Sequence, residues 1–358
     1  MKFIYFGLFF MATLNLFGQN TIEGRVTHTD TNETLAFVNI YLPQLEIGTT
    51  TDEEGNFNLA HLPSGNYKIL FSFIGFETYS TTVSIPITEP LEVALQPSAI
   101  EMEEVIVSTP FHKLQSENVM KVERKKVSDL NADGAVNLAT GISDIAGVES
   151  ITTGMGIGKP VIRGLSSNRV LVYTQGVRLE NQQYGEEHGL GVSAAGIESI
   201  EVIKGPASLL YGSDALGGVL YLNPERFAEA NSSAGDAAYN YFSNTQGFSA
   251  NAGFKSSSDY FKFILRGSLT EHSDYQTQDY RVTNSRFKEQ DLKAALGYQK
   301  ENFKTEIRYN LNASQLGIPE EIGIQNTDRT PLLPNQNINN HVFSSRSTLF
   351  LENSSIDL

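Results

Sequence analysis

The chemistry open to this chain is narrow. Cysteine is absent, which removes thiol nucleophiles, disulfides and Cys-ligated zinc or iron–sulfur sites. The densest donor set is Glu186-Glu187-His188. Imidazole with carboxylate suits a borderline cation such as Zn²⁺. Three consecutive residues do not easily close around one ion, so further donors must come from elsewhere, and His272 and His341 are the candidates. Without such help, the acids simply charge a solvated loop. Gly154-Met155-Gly156-Ile157-Gly158-Lys159 approaches a phosphate loop, but Pro160 replaces the required Ser or Thr and Thr153 the first Gly. The dinucleotide pattern G-x-G-x-x-G fails at Lys159. Neither G-x-S-x-G nor H-E-x-x-H occurs, and nothing marks a carboxylate pair for glycoside hydrolysis. The expectation is therefore a protein without enzymatic activity and without a cofactor.

Elements around the 179–189 loop must hold it, and composition says which kind. Lys+Arg is 26 and Asp+Glu 41, a net charge of −15, which argues against a nucleic-acid partner. A hydrophobic content of 40% is too high for disorder. Thirty Gly, 21 Phe and 15 Tyr without Trp point to strands and turns. Residues 1–19 pair Lys2 with a short apolar core and a small-residue exit near Gly18, the pattern of a secretory signal peptide. That run is shorter than the ~20 residues a helical span needs.

Three textures follow. Residues 20–97 carry short β-prone runs, Ala36-Phe37-Val38-Asn39-Ile40 and Tyr67-Lys68-Ile69-Leu70-Phe71-Ser72-Phe73, between turn signals at 52–56, 63–66 and Gly75. Strands about ten residues apart predict a β-sandwich. Between 111 and 225, apolar spacing predicts a helix over 127–148, with Leu130, Val136, Leu138, Ile142 and Ile145 on its buried side. The Gly-bounded runs 160–164, 169–173 and 200–205 predict strands of a small mixed sheet. From 226 onward, with 13 basic and 15 acidic residues, alternation dominates. Phe261, Phe263 and Leu265 share a face, as do Leu292, Leu296 and Tyr298, and Phe303, Ile307, Tyr309 and Leu311. Such segments describe a transmembrane β-barrel, although a soluble sheet with one wet face alternates similarly.

Two resemblances sharpen this reading. Gly24-x-Val26, Ala36-x-Val38-x-Ile40, Gly48-Thr49-x-Thr51-Asp52-x-x-Gly55-x-Phe57, Leu62-Pro63-x-Gly65-x-Tyr67 and Gly75-Phe76 resemble the carboxypeptidase regulatory-like domain, a transthyretin-like sandwich without catalytic groups. Arg163-Gly164-Leu165, Arg169-Val170-Leu171-Val172 and Gly176-Val177-Arg178 are followed by a long ordered run. That run holds Glu201, Lys204, Gly205, Pro206, Tyr211, Gly212, Gly217 and Gly218. Together they resemble the plug of TonB-dependent outer-membrane receptors. One departure is Gln175 before Gly176, where that family usually has Asp. The loop after His188 is also similar to that of zinc-uptake members.

The resemblance implies a mainly β protein: a signal peptide at 1–19, a sandwich at 20–97, a TonB box and linker at 98–110, an α+β plug at 111–225 and barrel strands from 226 to 358. It places the box at Glu104, Val105, Ile106, Val107 and Ser108, a β-prone stretch that can add a strand to an open sheet edge. The implied partners are the TonB C-terminal domain of a TonB–ExbB–ExbD system, outer-membrane lipids, and a metal chelate or metal ion as cargo. The implied location is the bacterial outer membrane with the N-terminal domain in the periplasm. Arg163, Arg169 and Lys204 are expected to pair with Glu198, Glu201 or wall carboxylates. A plugged barrel of this type uses about 22 strands, whereas the 123 residues of 236–358 supply about five or six, so an incomplete barrel is expected. The alternative is a surface binding or adhesion protein, or a receptor for an oligosaccharide or peptide.

Overall fold

The computed structural model of the chain describes residues 20–98, 122–185, 187–300, 302–351 and 354–358. The expected signal peptide, the 104–108 box and Glu186 lie outside these residues.

Seven strands build the N-terminal sandwich: β1 (Asn20–His28), β2 (Asn39–Leu42), β3 (Ile47–Thr50), β4 (Asn56–Leu62), β5 (Gly65–Ser72), β6 (Tyr79–Ile85) and β7 (Leu91–Leu95). They form two sheets, ordered β4-β1-β7 and β3-β2-β5-β6. In β4, Phe57, Leu59 and Leu62 turn inward while Asn56 and Asn58 face water. Inward residues of both sheets, among them Ile22, Val26, Ile40, Ile69, Phe71, Val93 and Leu95, share one core. Burying such side chains contributes roughly 1.5–3 kcal/mol each. The expected strand over 36–40 begins only at Asn39, because Phe37 takes a positive φ of 59°. Buried Thr51 replaces the missing ladder there. Its Oγ1 donates to Leu35 O at 2.7 Å and accepts from Val38 N at 2.9 Å.

The second region contains β8 (Val122–Lys126), α1 (Val127–Ala132), α2 (Leu138–Gly141), β9 (Val148–Thr153), β10 (Ile157–Ile162), β11 (Val170–Thr174), β12 (Val177–Arg178), β13 (Ile197–Ile203) and β14 (Gly218–Pro224). A five-stranded sheet runs β12-β11-β14-β13-β8. Only β11 and β14 are parallel, so the sheet is mixed as expected. The expected 127–148 helix is instead two short pieces. Gly134 turns left-handed at φ 75° after α1. Asn137 then caps α2, its Oδ1 accepting from Thr140 N at 2.9 Å. The apolar side chains still point inward, with Leu130, Leu138 and Ile142 buried. The run at 160–164 also departs from expectation. It belongs to a separate β9–β10 hairpin, where Pro160, lacking an N–H, sits on a strand with one neighbour only.

The third region is a meander of seven strands: β15 (Ser232–Phe242), β16 (Gly247–Ser257), β17 (Phe261–His272), β18 (Phe287–Lys300), β19 (Phe303–Gly317), β20 (Asn335–Leu351) and β21 (Ser354–Asp357). Six are long and the seventh has four residues. Phe254, Phe261, Phe263, Leu265, Leu292, Leu296 and Ile307 project outward and are exposed, while Arg266, Asp291, Lys293 and Arg308 are buried on the inner side. No helix among the described residues is long and apolar enough to cross a membrane.

Candidate functional site: the plug apex and its seat on the wall

The loop that sequence singled out is held from beneath by one buried cation. Lys159, on β10, is fully buried. Its Nζ donates to the carbonyls of Tyr184 and Gly185, the latter at 2.9 Å, and lies 3.5 Å from Ser167 Oγ. Amides close the loop on itself: Asn181 Nδ2 and Gln182 Nε2 donate to Leu190 O at 3.1 and 3.2 Å. The wall ties it too, since Asn340 Nδ2 on β20 donates to Gly191 O at 2.8 Å. A second wall bond runs from Gln175 Nε2 to Val342 O at 3.2 Å. Gln175, the departure from the family pattern, thus serves as a wall contact.

Among the described candidate donors, the three histidines are engaged separately. His188 Nε2 lies 3.9 Å from Glu187 Oε1, and its ring packs 5.2 Å from Tyr184. His272 is buried between the rings of Phe242 and Phe287, with Nδ1 2.8 Å from Thr245 Oγ1. His341 Nδ1 is 2.8 Å from Tyr309 OH. Among the described residues, no group of three His, Asp or Glu is placed to hold an ion.

The plug motif builds the sheet that carries the apex. Arg163 and Gly164 form a left-handed turn, closed by Ile162 N donating to Leu165 O at 2.8 Å. Gly205 and Pro206 open a 3₁₀ turn over Gly205–Tyr211 that Gly212 ends. Tyr211 packs 5.4 Å from Tyr173, whose OH donates to Tyr211 O at 3.2 Å. Gly217 lies against Leu165 and Val170. At Gly218, φ is 153°, and a Cβ would stand 2.7 Å from Ile203 O, so only glycine lets β14 start beside β13.

The expected ion pairs form with other partners. Fully buried Glu201 lies 3.9 Å from Arg124. Glu198 accepts from Arg226 Nε at 2.8 Å. Burial pushes the Glu198 carboxyl upward, but the hydrogen bonds and charge of Arg226 outweigh it and leave the carboxyl below its ordinary value. Lys204 donates to Ala146 O at 2.7 Å and lies 3.9 Å from Glu123. Among the described residues, neither Arg163 nor Arg169 carries an ion pair.

One cluster had no marker in the sequence. Just past β14, Glu225 receives two bonds from Arg266 on β17, Nε–Oε2 at 2.8 Å and Nη2–Oε1 at 3.1 Å. Lys255 on β16 lies 3.4 Å from the same carboxylate. Arg308 on β19 donates to Glu225 O at 3.0 Å. The end of the plug is therefore joined to three wall strands, β16, β17 and β19. Alternation placed Arg266 and Arg308 on the inner face, but not the partner each would meet.

A small mixed-sheet plug tied by polar bonds to the inner face of an up-and-down sheet defines a plugged-barrel protein. Comparison with known proteins narrows the class. Residues 22–107 match the CarboxypepD_reg-like domain, and residues 115–219 the TonB-dependent Receptor Plug Domain. The vitamin B12 transporter BtuB of Photobacterium profundum is 33% identical over 117 residues, 31% of this chain and 19% of that protein. The TonB-dependent receptor SusC of Bacteroides thetaiotaomicron is 28% identical over 315 residues, 79% of this chain and 30% of that protein. Among solved structures, the copper transporter OprC gives a TM-score of 0.52 at 20% identity, covering 64% of this chain and 34% of its own. The ferric enterobactin receptor PfeA of Pseudomonas aeruginosa, solved with enterobactin, gives 0.51 at 17% identity, covering 65% and 39%. The chain thus spans between 19% and 39% of the length of these four proteins. Residues 115–219 are thus a TonB-dependent receptor plug domain, with a CarboxypepD_reg-like domain ahead of it.

Proposed function

We propose that the protein acts in the bacterial outer membrane, importing a metal chelate or metal ion with energy delivered from the periplasm by TonB. The observation that carries this reading is the polar seat of the plug. Hydrogen bonds and ion pairs such as Arg266–Glu225 and Asn340–Gly191 hold it to the wall, while the outward face of the same strands is apolar. Polar contacts exchange for water when the plug moves, whereas an apolar interface resists separation. The apolar outer face is what lipid requires.

In this reading, Glu104 to Ser108 add a strand to the TonB C-terminal domain, and the pull that follows rearranges the plug. The sandwich lies in the periplasm, and cargo meets the 179–189 loop from outside. A chelate fits the apex better than a bare ion, because its metal needs no protein donor and the three candidate histidines are engaged separately. The second reading, a sugar or peptide nutrient, draws on the amide-rich loop of Asn181, Gln182 and Gln183.

Two titrations test these readings. A peptide of residues 102–110 is expected to bind the TonB C-terminal domain, and no binding favours a surface binding protein without transport. Zn²⁺ titrated into the chain and into His188→Ala separates ion from chelate. Heat lost in the variant supports a metal-ion contact through Glu186, Glu187 and His188, while identical traces end that contact.

A further inference from the structure

The sandwich exposes two large apolar side chains where its chain leaves. Phe37 is 67% exposed and Ile74 81%. Phe37 is also strained, an aromatic residue at φ 59°. Its backbone is fixed by Phe37 N donating to Thr51 O at 3.0 Å and by the two Thr51 side-chain bonds described above. A strained residue with an exposed ring is better explained by a contact it makes than by folding.

Register puts these side chains at one end of the domain. Asn39 pairs with both Thr50 and Ser72, so Phe37, the turn after Thr50 and the loop after Ser72 are neighbours. Phe76 packs 5.3 Å from His28 and bridges to Pro97. Ser98 N donates to Gly75 O at 2.9 Å. The last described residue before the 104–108 box therefore sits one residue from Ile74. Six exposed acids share this end: Asp30, Glu33, Asp52, Glu53, Glu54 and Glu77.

We propose that this end of the sandwich is a second contact surface for the protein that captures the box. That partner is a basic periplasmic domain with an apolar recess, which Phe37 and Ile74 fill while the acids steer it. The inference rests on the TonB reading above and deepens it. Like charges gathered at this end of the sandwich match one basic face, and two linked contacts raise affinity beyond either alone.

The test uses the full chain in detergent and the purified TonB C-terminal domain, followed by biolayer interferometry. Phe37→Gly combined with Ile74→Ser is expected to weaken binding about tenfold, chiefly through faster dissociation. Glycine suits the positive φ, so the melting temperature should hold. Glu53→Lys, Glu54→Lys and Glu77→Lys together should slow association and flatten its salt dependence. Glu89→Lys, at the opposite end of the domain, should change neither rate. Val105→Pro with Val107→Pro separates the two claims. If that box variant abolishes binding while the Phe37/Ile74 and charge-reversal variants bind like the parent, the second surface is wrong and the TonB reading stands. If the parent itself does not bind, both fall.

Discussion

Arg266 holds Glu225 through two parallel hydrogen bonds of 2.8 and 3.1 Å, so the residue that ends the plug and the residue that faces it from β17 form one rigid joint. Both side chains are largely buried, at 9% and 16% exposure. A buried pair loses more from one missing partner than from two, because the survivor keeps its desolvation cost.

Arg266→Met should therefore destabilise the chain by roughly 3 kcal/mol, and Arg266→Met with Glu225→Leu by less. Denaturant unfolding in detergent measures both. A double variant worse than the single one would show that the pair is not a coupled joint.

Lys159→Met removes the ammonium that binds the Tyr184 and Gly185 carbonyls while keeping side-chain length. Stranding those acceptors should cost about 1–3 kcal/mol. Hydrogen exchange over 180–191 should quicken while that of β13 holds. Unchanged loop exchange would mean that the amide bonds to Leu190 suffice.

Glu198 supplies the pH prediction. Burial raises its carboxyl, Arg226 lowers it further than burial raises it, and the carboxyl ends below its ordinary value in the folded protein. A depressed folded pKa gives stability that is complete above the unfolded value and fades as pH falls through the folded one. Parent and Glu198→Gln should differ at pH 7, and the gap should close as pH drops below about 4. A gap that widens in acid would reverse the sign and remove the Arg226 pairing.

Gly218→Val should block folding of the plug sheet. Its side chain would meet Ile203 O at a φ of 153°, with strain and overpacking of roughly 3 kcal/mol or more. Loss of β14 protection in hydrogen exchange is the expected result, and parent-like protection would contradict it.

What was legible in the sequence was local. Phe261, Phe263 and Leu265 alternate with polar neighbours, and a period of two reads directly as a strand with two different faces. The helix over 127–148 failed because spacing counts apolar positions and cannot show that Gly134 turns left-handed between them. Partners were least legible. Glu201 meets Arg124, and Glu225 meets Arg266 across 41 residues, and only the assembled sheets set those distances. The 186–188 donors were readable as chemistry, but His272 and His341 were placed elsewhere by the ring stack of Phe242 and Phe287 and by Tyr309.

The central claim is that the strands from β15 onward face lipid on one side and a plug on the other. With no native cysteine, single spin labels test it cleanly in outer-membrane vesicles holding the receptor. Labels at Leu265→Cys and Leu296→Cys should relax with dissolved oxygen and be shielded from a water-soluble nickel reagent. A label at Lys293→Cys should be protected from oxygen. Outer-face labels that respond to nickel as free solvent does would contradict the account.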